Sequence, residues 1–229
     1  MKICLITSST KKIDWEDFGY PEWIDSTAPN HRSYAKKWDL EYIASLVDGS
    51  LVGDRHPTWL KIHEMIKVSD SNRWDWIVWI DADAVFVDDS IDIRQWLTDD
   101  CNWVLPKMQP DSEHGKCWTK LSTGLMAMRV NHKTCNILNR MWVNPDEYRW
   151  GGFHEQSWID AHFNKRMSTN TNLNEMLLED LEEPLQLGDL TVLPYKYHLT
   201  TLDREIPFVF HAGGDTPTKH ERIKKALCI

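Results

Sequence analysis

A single α/β domain over residues 1–229, built on a mixed and mostly parallel sheet flanked by helices, is the fold class this sequence predicts. Two observations carry the prediction. Short apolar runs alternate with segments of helical periodicity along the chain, without an internal repeat or a linker. The run from Trp76 to Ile80 is apolar without a break, the pattern of a strand covered on both faces in the middle of a sheet.

Taken in order, KICLITSST (2–10) reads as an opening buried strand that ends in small hydroxyl residues, a type that leads into nucleotide sites in α/β folds. The stretch 14–29, with Trp15, Gly19-Tyr20-Pro21 and Trp23, reads as irregular loop. A short helix from Asn30 and a strand around 40–46 follow, then loop over 48–57. Trp59, Ile62, Met65 and Ile66 fall at helical spacing and predict a helix over 58–69, with Lys61 in its first turn. Beyond the 76–80 strand, 102–106 and 122–130 are strands, the second introduced by Gly124. Asn131 caps the next helix, whose face carries Ile137, Leu138, Met141 and Trp142. Trp158, Ile159, His162 and Phe163 form a helical stripe after Gly151-Gly152, while 166–189 carries no clear signal. Strands at 190–194 and 207–211 precede Gly213-Gly214 and a basic helix from about Pro217.

Composition narrows the function classes. A hydrophobic content of 41% and a charged content of 27% describe an ordered globular chain. The net charge of −9 argues against a nucleic-acid or anionic-membrane binder, which needs a positive field. An anionic substrate would then need a local metal or basic cluster. Thirteen tryptophans exceed what a core of this size needs, and indoles suit the flat apolar faces of sugars. The five cysteines are odd in number and lack a CxxC pair, which favours reduced thiols. With no apolar stretch of membrane-spanning length and no signal-peptide pattern, a cytoplasmic location is expected.

The chemistry concentrates where the central strand runs into Asp81-Ala82-Asp83. Ionised carboxylates are costly to bury without a partner. Two acids at i and i+2 point the same way if strand geometry persists, and can share one hard divalent cation. Asp88-Asp89 reads instead as a solvated loop pair.

The block PTWLKIHEMIKVSDSNRWDWIVWIDADAVFVDD resembles the centre of the galactosyl/xylosyl/mannosyltransferase family, typified by plant xyloglucan xylosyltransferases and yeast Golgi α-galactosyl- and mannosyltransferases. Both have a Trp-x-Lys helix, an aromatic-rich strand and a DxD. Further along, LSTGLMAMRVN resembles that family's Asn-Thr-Gly strand, HEQSWIDAHF its acidic-acidic-Gln-Ser helix, and PFVFHAGG its Pro-Phe-x-x-His-x-x-Gly segment. The resemblance implies a GT-A (Rossmann-like) fold and a nucleotide-sugar donor, with a UDP-sugar ahead of a GDP-sugar. It also implies a divalent metal, Mn2+ or Mg2+, a glycan acceptor and retention of anomeric configuration.

Carried over by residue, the resemblance makes Asp81 and Asp83 metal ligands, with Asp81 also on the donor side, and His211 the late histidine ligand. A neutral imidazole at a strand end followed by glycines suits that role, Gly213 and Gly214 letting a diphosphate approach. Thr7, Ser8 and Tyr34 are further nucleotide-side candidates, and Lys61 and Lys219 would neutralise phosphate charge. From the residues alone Lys61 reads first as a solvated helix lysine, and Lys219 reads also as part of the wet face of a basic helix. Glu155 and Gln156 match the pocket residues around the transferred sugar. Gln156 would stabilise an oxocarbenium-like state in front-side attack, or Glu155 would act as nucleophile in a covalent route. Glu155 reads equally as an acid favoured by a helix N-terminus. Ser122, Thr123, Gly124 and His154 are substrate-side candidates, and Trp118 and Trp150 are acceptor platforms or core.

The chain departs from the family at His154, where one acid is missing, at Ser122, where asparagine is usual, and in lacking an N-terminal anchor. Two rivals stand beside this reading. A DxD phosphohydrolase would place the motif near an early strand, with a Thr or Ser motif after it. A non-catalytic carbohydrate-binding protein would use the tryptophans but leaves Asp81, Asp83 and His211 unexplained.

Overall fold

The computed structural model of the chain describes residues 1–10, 21–108, 121–145, 148, 154–167, 181–199, 207–212 and 216–228. Their elements are β1 (Ile3–Thr10), α1 (Pro21–Lys37), β2 (Glu41–Val47), α2 (Leu60–Ser69), β3 (Trp76–Ile80), β4 (Ala84–Phe86) and β5 (Trp103–Pro106). After these come β6 (Leu125–Arg129), α3 (His132–Val143), α4 (Glu155–Met167), β7 (Leu185–Leu187), β8 (Leu190–Leu193), β9 (His198–Leu199), β10 (Val209–His211) and α5 (Thr216–Leu227).

A seven-stranded sheet has the order β2-β1-β3-β6-β5-β8-β7. Strands β1, β2, β3, β5 and β8 run one way, and β6 and β7 run against them. The expected mixed, mostly parallel sheet is present. A three-stranded sheet, β4-β10-β9, stands beside it.

The apolar run of β3 is central because both of its faces are covered, as its lack of alternation requires. Ile77 and Trp79 join a core with α2, α3 and α4, through Ile62, Met65, Leu138, Met141, Ile159 and Phe163. Trp76, Val78 and Ile80 join the opposite core with Tyr34 and Ala35 of α1 and with Phe86 and Val209 of the small sheet. Each large apolar side chain buried this way contributes roughly 1.5–3 kcal/mol. Trp59, Trp76 and Trp103 are fully buried, so much of the tryptophan surplus is core rather than sugar platform.

Most predicted elements recur. Asn131 caps α3: its side chain accepts from the Thr134 amide, and the Thr134 hydroxyl accepts from the Asn131 amide. The expected loop over 14–29 is corrected from Pro21 onward, where the chain is already helical. Proline at the first helical position has no intrahelical hydrogen bond to lose, so it opens a helix as readily as a turn. Residues 11–20 lie outside the described set. Three strands carried no signal of their own, β4, β7 and β9, because two or three residues are too few for a period.

Helix α1 fastens the turn after β3. Thr27 donates to the Ala82 carbonyl at 2.8 Å, and His31 Nε2 donates to the Ala84 carbonyl at 2.7 Å. The Tyr42 hydroxyl donates to His31 Nδ1 at 3.4 Å, so the ring is held neutral with its proton on Nε2. Burial lowers the His31 pKa from 6.5 to about 4, against a smaller opposing effect of the Ala84 carbonyl. Because the folded state prefers the neutral ring, its stability is complete above 6.5 and is lost as pH falls toward 4. The full loss is about 3 kcal/mol at 1.36 kcal/mol per unit. Chemical denaturation at pH 7 and pH 4.5 should show His31→Gln with a flatter pH dependence than the wild type; parallel curves would contradict this.

Candidate functional site

Strand β3 ends at Ile80, and the two aspartates sit in the turn that follows. The expectation that they project from a continuing strand is corrected: the Ala84 amide bonds back to the Asp81 carbonyl at 3.0 Å, closing a turn. Backbone bonds hold the turn on two further sides. The Asp81 amide donates to the Gly124 carbonyl at 2.9 Å, and the Ala212 amide donates to the Asp83 carbonyl at 2.9 Å. With Thr27 and His31 added, each residue from 81 to 84 is anchored, which fixes the carboxylates before any ligand arrives.

Pairing of β10 with β4, His211 opposite Ala84, brings His211 onto this turn. One ligand atom from each of Asp81, Asp83 and His211 lies within 4.8 Å of the others. His211 Nε2 is 3.1 Å from Asp83 Oδ1 and 3.7 Å from Asp81 Oδ2. Adjacent ligands of an octahedral cation at ~2.1 Å stand about 3 Å apart, so the spacing fits one ion with little movement. Two carboxylates and an imidazole also suit manganese or magnesium better than a thiol-seeking metal.

Cations already balance the acids. Lys219 of α5 reaches Asp83 Oδ2 at 2.7 Å. Burial would raise the Asp83 pKa, but His211 and then Lys219 outweigh it and hold the carboxyl well below the usual range. Burial likewise opposes protonation of His211, and Asp83 followed by Asp81 more than offsets it, raising its pKa.

Lys61 lies below the turn, its side chain only 5% exposed, and is 3.0 Å from both Asp81 Oδ1 and Glu155 Oε1. It also donates to the Thr123 carbonyl at 2.9 Å and hydroxyl at 3.0 Å. Burial alone would lower its pKa, but Asp81 and Glu155 raise it, so it stays charged. Rather than facing a phosphate from a solvated helix, Lys61 ties α2, the β3 turn and α4 together. The Trp79 indole adds a hydrogen bond to Asp81 Oδ1.

Glu155 opens α4 and is 3% exposed, with Oε1 engaged by Lys61 and Thr123 and Oε2 buried without a partner among the described residues. Gln156 Oε1 accepts from the Thr123 amide at 3.2 Å. Ser122 and Thr123 are themselves buried and act as bracing for these groups. His154 takes a left-handed backbone, φ 53°, and stacks on His56 at 3.7 Å between ring centroids, next to Glu155.

Thr7 and Ser8 follow Ile6, which is opposite Trp79, so they run beside the end of β3, and the buried Thr7 hydroxyl has no partner among the described residues. Tyr34 is placed in the core instead of at the site: its ring stacks on Phe86 at 3.7 Å and its hydroxyl is used by Ile91 and Ile93 backbone. An aromatic hydroxyl satisfied by buried backbone has nothing left for a ligand. Trp118, Trp150, Gly213 and Gly214 lie outside the described residues.

One residue of the cluster had no sequence signal. His198 of β9 is 2% exposed, its ring 5.3 Å from that of His211. Burial, then the neighbouring His211 and Lys61, push its pKa well below the ordinary value. Only the pairing of β9 with β10 brings it there.

No family profile and no curated protein sequence matches the chain. Solved structures do. The chain is similar to a glycosyltransferase involved in the glycosylation of the major capsid of PBCV-1, with TM-score 0.67 and 10% identity over 98% of this chain and 100% of that one. It is also similar to the galactosyltransferase LgtC in complex with donor and acceptor sugar analogues, at 0.59 and 10% over 98% and 95% of the two chains. The apo-form glycosyltransferase GlyE of Streptococcus pneumoniae matches at 0.55 and 9%, over 100% of this chain and 60% of that one. Identities this low speak for backbone architecture, and the architecture is the GT-A glycosyltransferase fold expected from the sequence.

Proposed function

We propose that this chain, acting as a single GT-A domain, is a metal-dependent retaining glycosyltransferase. It moves a hexose or pentose from a nucleotide-diphosphate sugar, a uridine donor ahead of a guanosine donor, to a glycan hydroxyl. The observation that carries the reading is the convergence of Asp81, Asp83 and His211 on one spot beside the end of the central strand. A manganese or magnesium ion held there would neutralise the charge of the departing diphosphate.

The chain's own residues supply the rest. Lys219, paired with Asp83 at 2.7 Å, is a cation beside the cluster that a diphosphate could share. Glu155 is buried behind the cluster and Gln156 lies beside it, both fixed through Thr123, which leaves Gln156 as the residue for the sugar side. Because the Lys61 pair holds Glu155 Oε1 at 3.0 Å, that carboxylate is a weak nucleophile. This supports front-side transfer, in which the leaving phosphate oxygen takes the acceptor proton and Gln156 stabilises the charged sugar. The phosphohydrolase reading loses ground, since the DxD follows the third strand of a GT-A sheet.

Incubation with manganese and a panel of UDP- and GDP-sugars should release free sugar slowly, and faster with an accepting glycan. Asp83→Asn should lower manganese-dependent nucleotide binding at least 100-fold in calorimetric titration, with an unchanged circular dichroism spectrum. No turnover and no binding with any donor would overturn the transferase reading, and unchanged binding by the variant would overturn the metal assignment.

A further inference from the structure

We propose that His198 is a positioning residue for His211: once a cation takes His211 Nε2, His198 Nε2 becomes the acceptor of the His211 Nδ1 proton and so keeps the Nε2 lone pair of His211 aimed at the cation site. The inference rests on the metal reading above and adds a residue that reading does not need.

An imidazole that ligates through one nitrogen carries its proton on the other, and that proton needs an acceptor to hold the ring in place. In His211 the ligating atom is Nε2, which faces Asp83 at 3.1 Å and Asp81 at 3.7 Å. The proton therefore belongs on Nδ1, which points the other way, over Gly124. A methyl group built on Gly124 would lie 2.8 Å from His211 Nδ1 and 2.7 Å from His198 Nε2, so the two nitrogens face one small space. Among the described residues His198 Nε2 is buried there without a hydrogen-bond partner. Buried nitrogens without partners are rare in folded proteins and call for a reason.

The contact on the other side of His198 accommodates the tautomer this role needs. Its Nδ1 is 3.3 Å from the Ser122 hydroxyl oxygen, which also accepts from the Gly124 amide at 3.3 Å. With the His198 proton on Nδ1 and donated to Ser122, Nε2 is left as an acceptor. Serine at position 122 thus supports the ring through an oxygen fixed by the backbone it brackets. Strand pairing supplies the remaining constraint. His198 opposes Val209 in the parallel β9–β10 pair, which holds the two imidazoles side by side.

Manganese affinity is the direct readout, measured by electron paramagnetic resonance of free manganese with uridine diphosphate present and, separately, guanosine diphosphate. His198→Phe keeps the bulk and removes the acceptor, and should weaken manganese binding 10- to 100-fold. His198→Gln restores an acceptor oxygen and should return affinity to within a few-fold of wild type. A purely structural role would lower the melting temperature of both variants without that recovery in affinity. Should His198→Phe not fold, Ser122→Ala serves, with an expected loss of about threefold to tenfold. Wild-type affinity in folded His198→Phe, or in Ser122→Ala where that variant stands in, would overturn the inference. A folded wild type that binds no manganese with either nucleotide would overturn the metal reading itself, which separates the two failures.

Discussion

Lys61→Met should cost about 3–5 kcal/mol of folding stability, the usual loss when one partner of a buried ion pair is removed. The lysine is the near cation for both Asp81 and Glu155, at 3.0 Å each, and water cannot replace it because its side chain is 5% exposed. Methionine matches the length of the stem, while the ammonium that stands 5.7 Å from the Trp79 ring centroid goes with the charge, so the loss is electrostatic. The double variant Lys61→Met/Glu155→Gln should recover part of the loss, since only one of the two stranded acids remains. Urea denaturation of the three proteins gives the comparison. A single variant within about 1 kcal/mol of wild type, or a double variant less stable than the single one, would contradict the role given to Lys61.

Gly124→Ala should reduce manganese affinity at least tenfold and stability by about 1–3 kcal/mol, the range for overfilling a packed interior. The backbone at Gly124 is not in the left-handed region, so alanine is conformationally free to occupy it. The obstacle is the pair of imidazole nitrogens at 2.7 and 2.8 Å, closer than a methyl carbon tolerates. Neither ring yields easily: His211 is fixed by pairing with Ala84, and His198 is 2% exposed. Manganese titration with uridine or guanosine diphosphate, alongside denaturation, tests both parts. A variant that matches wild type in both would show that the rings have room to turn away.

What was legible in the sequence follows the range of the signals. The run Trp76 to Ile80 encodes its own burial, because five consecutive apolar side chains need cover on both faces. The aspartates directly after it, and His211 at the end of another strand, were readable as metal-binding types and were brought together. The pleat argument for Asp81 and Asp83 failed although the pair was right, since hydrogen bonds from Gly124, Ala212 and α1 shape that turn and none is local. Lys61 was readable as a helix residue, but its direction was not. Only the positions of Asp81 and Glu155, 94 residues from Lys61 in the latter case, reveal that it faces inward. His198 had no motif around it, and its meaning arises from a two-residue strand pairing. Tyr34 shows the converse: its type suits a ligand contact, while its depth assigns it to the core.

The small sheet has a consequence for the order in which the protein is made. Asp83 leaves the ribosome 128 residues before His211 and 136 before Lys219, the groups that settle its charge. The β1–β3 pairing and its α2 cover are complete by then, but β4 has no β10 to pair with. A nascent chain halted before β10 should therefore carry much of its central sheet, with Asp81 already paired to Lys61, while Asp83 stands without His211 and Lys219 and open to free divalent ions. Assembly of the Asp81-Asp83-His211 cluster is thus a late event in synthesis, set by the arrival of one three-residue strand.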